Sequence, residues 1–198
     1  MAHYVYATHS AADSDGEVAS FSEGARMHGE IWLASFISFT RPFGGFLFGH
    51  ADLNKDKAMY VSDADILHVA HGLRDRTLPK TEWTHAAHFA AAVWLIRSAE
   101  YDAERDMPGL ILAYNSACGV KNSDTEGYHE TITLASIRMA AHLLDEIERD
   151  TPLFQAVNHI IASGLDRSEW ILKHWSRDVL FSVKARREWV QPDLAPLP

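Results

Sequence analysis

Between Phe89 and Ile96 every side chain is apolar, including Val93, Trp94 and Leu95. A helix through this stretch has no polar face to offer water, so other elements must cover it on several sides. The segment therefore predicts a central helix, and the rest of the chain has to supply its neighbours. Pro79 suits the first turn of this helix, which is expected to pass through His85 and Phe89 toward Ala103.

The neighbours read as helices too. Ser62 followed by Asp65 has capping-box spacing, and Ile66, Val69, Ala70 and Leu73 then recur on one face. Pro108 is expected to open a shorter helix through Leu110, Leu112 and Tyr114, ended by Gly119 as a left-handed cap. A further helix is expected over residues 125–149, with Ile132, Met139, Leu143 and Ile147 lining one side. Thr151-Pro152 begins another that Gly164 closes, and residues 168–181, with Trp170, Leu172, Trp175 and Leu180, make the last. No alternating Val- and Ile-rich runs lie between them. The expected fold is all-α, a compact bundle of about six helices over residues 58–198.

Residues 1–57 have a different character. Residues 7–29 are rich in Ser, Ala, Asp and Gly and predict a loose, partly disordered arm, followed by a segment with Phe36, Phe39, Phe43, Phe46 and Phe48. Arg41, Pro42, Gly44 and Gly45 interrupt that apolar segment, so it is read as a docking surface for the domain or for a second copy in a homodimer, not as a membrane span. The start of the chain lacks the basic and apolar pattern of a secretory signal. Against 27 Asp and Glu stand only 18 Lys and Arg, a formal charge of -9, which makes nucleic acid and anionic membranes poor partners. One cysteine, Cys118, excludes an internal disulfide and suits a cytoplasmic protein.

The chemistry is concentrated in a repeated spacing: Glu82-Trp83-Thr84-His85 and Glu126-Gly127-Tyr128-His129. Glu and His three apart on a helix project from one face, where they can hold a metal or move protons. The first copy continues to His88 and the second is followed by Glu130. Glu82, His85, His88 and His129 are the expected metal ligands, zinc or iron being the ions that suit imidazole with carboxylate. Glu126 and Glu130 are the expected catalytic acid or base residues. The plainer alternative is also open: Glu126 completes a capping box with Ser123, Glu82 complements a helix dipole, and the histidines are satisfied inside the fold. His68 and His71 fall off the apolar stripe of their helix and are expected on a solvated face. No Gly-x-Ser-x-Gly elbow, Walker loop or dinucleotide fingerprint occurs.

Residues 78–88, residues 127–133 and the stretch Trp189-Val190-Gln191-Pro192-Asp193-Leu194 resemble a group of small uncharacterised bacterial all-α proteins. The resemblance implies that these motifs belong together, over residues 61–198, and carries no activity with it. From the residues themselves the expectation is a metal-dependent enzyme acting on a small molecule, a hydrolase or a non-haem iron oxygenase. The alternative is a non-enzymatic helical ligand-binding or protein-interaction domain with structural histidines.

Overall fold

In the computed structural model, residues 59–198 except 166 are described, and every regular element among them is helical. The arm and the Phe-rich segment expected over residues 1–57 lie outside the described residues. No described helix is long and apolar enough to cross a membrane.

Helix α1, Asp63–Asp75, starts as its sequence predicts: the Asp65 carboxylate reaches back to accept from the backbone N–H of Ser62 at 3.0 Å and of Val61 at 2.9 Å. Ile66, Val69, Ala70 and Leu73 form its buried face. It ends on Arg76, in the left-handed region at φ 60°. The chain then folds back so tightly that the Gly72 carbonyl accepts from both Thr77 and Leu78. A Cβ at Gly72 would lie 2.9 Å from that of Leu78, so only glycine leaves room for this turn. The turn delivers residues 80–82 to the flank of α1.

Helix α2, His85–Arg97, is the central element foreseen from its apolar composition: Phe89, Val93, Leu95 and five alanines are buried, and it packs against α1. It also contacts α3, Ala103–Ala117, α4, Glu130–Leu144, and α5, Leu153–Ile160. The alanines present little side chain, which lets several neighbours approach one helix closely.

Four boundaries differ from the sequence expectation. The central helix does not begin at Pro79; a separate 3-10 turn, Lys80–Glu82, precedes it, and Thr84 caps α2 by accepting from Ala87 N–H. Helix α3 begins at Ala103 instead of Pro108, because Asp102 accepts from Arg105 N–H and so starts the helix earlier. Helix α4 spans neither 125–129 nor 145–149. The expected helix over 168–181 divides into a 3-10 segment, Ser168–Lys173, and α6, Arg177–Leu180, with α7, Val183–Arg187, following. Ser176 and Ser182 each accept from the N–H three residues on, so each serine starts a new short helix.

Other turns follow expectation. Gly119, at φ 71°, follows α3, and Gly164, at φ 97°, lies in the π-helical turn Ile161–Leu165 that closes α5. The C-terminal segment folds back over the last helices: Trp175 is wholly buried and donates from Nε1 to Val190 O at 3.1 Å, while Leu194 N–H donates to His174 O. The Arg138 guanidinium stacks 4.0 Å above the Trp189 ring, fastening this segment to α4.

Candidate functional site

Both copies of the Glu-x-x-His spacing straddle the start of a helix, so neither presents its Glu and His on one helical face. In the first copy Glu82 closes the 3-10 turn and His85 is the first residue of α2. In the second, Glu126 lies in the preceding loop, and His129 is itself the residue that caps α4. The three-residue rule for a helix face presupposes a continuous helix, which is absent here.

His129 is fully buried. Its Nδ1 accepts from Ile132 N–H at 3.4 Å and its Nε2–H donates to Leu180 O at 3.0 Å, which fixes one neutral tautomer. Burial, and then the nearby Arg186 guanidinium, hold its pKa down to about 3. Arg186 is also buried and donates to Tyr128 O at 3.1 Å. Glu130, at the first position of α4, accepts from the Tyr128 hydroxyl at 2.7 Å, and burial with this bond pushes the phenol far above its usual range. Thr131 Oγ1 donates to Glu188 O and accepts from Val190 N–H. These residues join the start of α4 to the C-terminal helices. Glu126 is exposed, with its N–H donated to Ser123 Oγ, so Ser123 stabilises the loop and not a helix start.

The first copy leads elsewhere. His85 Nε2–H donates to Leu165 O at 2.6 Å, tying α2 to the π-helical turn after α5. His88 Nδ1–H donates to Thr84 O at 2.7 Å, and its ring stacks on Trp83 with centroids 3.9 Å apart. Burial lowers its pKa to about 3, so it too is a neutral imidazole near pH 7. The Glu82 carboxylate meets His68 Nε2 at 2.8 Å.

That pair lies on a cleft of about 600 Å³ between the start of α1, the 80–84 turn and the first turn of α2. Tyr60, Asp65, His68, Glu82, Thr84 and His85 contribute its polar groups. Met59, Val69, Ala86 and Ile161 contribute apolar wall. The volume falls in the range of small-molecule sites. Two backbone N–H groups keep the Asp65 carboxyl below its usual range, and burial pushes the Tyr60 phenol up to about 12, so it keeps its proton at neutral pH. Tyr60 is held in place through its backbone, which exchanges two hydrogen bonds with the side-chain amide of Asn158.

Of the residues expected to share one site, then, the cleft receives Glu82 and His85. His88, Glu126, His129 and Glu130 do not line it. Among the described residues no group of three or more His, Cys, Asp or Glu side chains is placed to hold a metal ion. Sequence reasoning missed His68. Expected on a solvated face, it is exposed, but it also meets Glu82 across a turn that brings together residues 14 apart. His71, expected beside it on that face, is half-buried with its ring edge-on to Trp94 at 5.6 Å. Arg186 was missed as well, because one arginine in a basic C-terminal run carries no mark of burial. Comparison with protein-family models, curated proteins and solved structures yields no match to the chain.

Proposed function

We propose that this protein acts on a small molecule bound in the cleft between α1 and the start of α2, with His68 and Glu82 as its acid–base pair. The observation that carries the reading is the 2.8 Å contact between His68 Nε2 and the Glu82 carboxylate at the edge of a cleft of about 600 Å³. A carboxylate at Nε2 holds the ring proton there and leaves Nδ1 as the basic atom. It also stabilises the imidazolium formed when Nδ1 takes a proton. Tyr60, which keeps its proton, supplies a hydrogen-bond donor from the same wall. The reaction class this set suits is proton abstraction from substrate or from an attacking water, hydrolysis being its simplest outcome. Metal-assisted hydrolysis or oxygen chemistry in the cleft would draw, among the described residues, on His68 and Glu82.

A panel of p-nitrophenyl esters and aryl amides, run with and without added Zn²⁺ or Fe²⁺, tests the reading. His68→Gln and Glu82→Gln should each lower whatever turnover the wild type has by about a hundredfold or more, the scale of a lost general base. His142→Gln, on the exposed side of α4, should leave turnover unchanged. Turnover that persists in His68→Gln would refute the assignment, and turnover that appears only with added metal would favour the metal-dependent reaction.

A further inference from the structure

Charge and shape together say what kind of molecule the cleft accepts, and this inference rests on the cleft being the site. Its walls hold two carboxylates, Asp65 and Glu82, and neither lysine nor arginine is among the described lining residues. Asp65 stays ionised because the N–H groups of Val61 and Ser62 stabilise its carboxylate. The whole chain carries a formal charge of -9, so the long-range field has the same sign as the local one. An anionic ligand would meet two carboxylates with no lysine or arginine among the described lining residues. A neutral polar ligand would gain nothing from that field. Beside the carboxylates, Met59, Val69, Ala86 and Ile161 give an apolar surface, and Tyr60 brings an aromatic ring that suits a cation.

We infer that the cleft binds small amines: molecules with a protonated nitrogen for Glu82 and Asp65 and an apolar or aromatic body for the Met59, Val69 and Ile161 wall. Glu82 is the principal partner of the ammonium group, because the Asp65 carboxylate already serves two backbone donors. His68 Nε2 contacts one oxygen of Glu82, Oε2, at 2.8 Å, which leaves Oε1 for the ammonium group.

Three probes of matched shape decide the matter: phenethylamine, 2-phenylethanol and 3-phenylpropanoate, each titrated into the full-length ¹⁵N-labelled protein and followed by amide chemical shifts. Phenethylamine should shift resonances of residues 60–69 and 81–86 and bind at least tenfold tighter than the alcohol, while the carboxylate should leave them unmoved. Glu82→Gln should remove most of that preference, and added salt should weaken the amine alone. Equal binding of all three probes at the cleft would overturn the selection for amines and leave the cleft standing as a ligand site. Shifts confined to other surfaces would overturn the inference and the site together.

Discussion

Gly127→Ala should destabilise the domain by at least ~3 kcal/mol, the range of a positive-φ position combined with a backbone clash. Gly127 has φ 79°, and a Cβ there would stand 2.2 Å from the Lys121 carbonyl oxygen and 2.8 Å from Asn122 Oδ1. Neither atom has freedom to withdraw. Asn122 Oδ1 accepts from the Asn115 side chain at 2.9 Å and from Tyr128 N–H at 3.1 Å, so moving it releases both α3 and the entry to α4. The Gly127 and Tyr128 carbonyls in turn receive Arg186. Gly119→Ala is the matched control: φ is 71°, yet nothing lies within 4 Å of the added carbon, so only the ~1 kcal/mol of left-handed strain applies. Urea midpoints should separate the two variants clearly. Equal losses would mean that the loop over 119–128 is not built as described.

Acid should weaken the fold well above the range in which carboxylates protonate. His129 has a folded pKa of about 3 against an ordinary value of 6.5, so the unfolded chain takes up this proton first. Stability is therefore intact above about pH 6.5 and declines as pH falls from there toward 3. At pH 4.5 the loss from His129 alone is about 2 to 3 kcal/mol, each pKa unit being worth ~1.4 kcal/mol. His88, lowered in the same direction by burial, adds to the decline. The carboxyls held low, among them Asp65, Asp75, Asp106 and Asp193, contribute only at more acid pH, since their ordinary value is 3.8. Urea unfolding between pH 6.5 and 4.5 should thus give a steep loss in the wild type and a flatter one in His129→Gln. The same slope in both would remove His129 as the cause.

Much of the fold was legible because it depends on local signals. The apolar run from Phe89 to Ile96 announced a central helix, and α2 is packed on by four others. Ser62 and Asp65 marked the start of α1, and Gly119 and Gly164 marked ends that do adopt positive φ. Boundaries went astray where a capping side chain competed with periodicity: Thr84, Asp102, His129, Ser176 and Ser182 each set a helix start that apolar spacing alone ran through or misplaced. The candidate site suffered most from this. Reading Glu82 and His85, or Glu126 and His129, as helix-face pairs requires helix between them, and both pairs cross a cap. His68 and Glu82 meet through a turn whose geometry depends on Gly72 and Leu78, and Arg186 meets Tyr128 across residues 58 apart; no periodicity within one element encodes either contact.

The Glu82 carboxylate pairs with His68, which lies 14 residues away and outside its sequence motif. Ring ¹³C and ¹⁵N resonances of the histidines in wild type and Glu82→Gln test this pairing directly, because the resonances of a ring nitrogen follow the group hydrogen-bonded to it. The largest change should fall on His68, with a smaller one at His85 across the cleft and none at His129, whose nitrogens are held by Ile132 N–H and Leu180 O. A change centred on His85 that leaves His68 in place would return the carboxylate to the first motif and contradict the account.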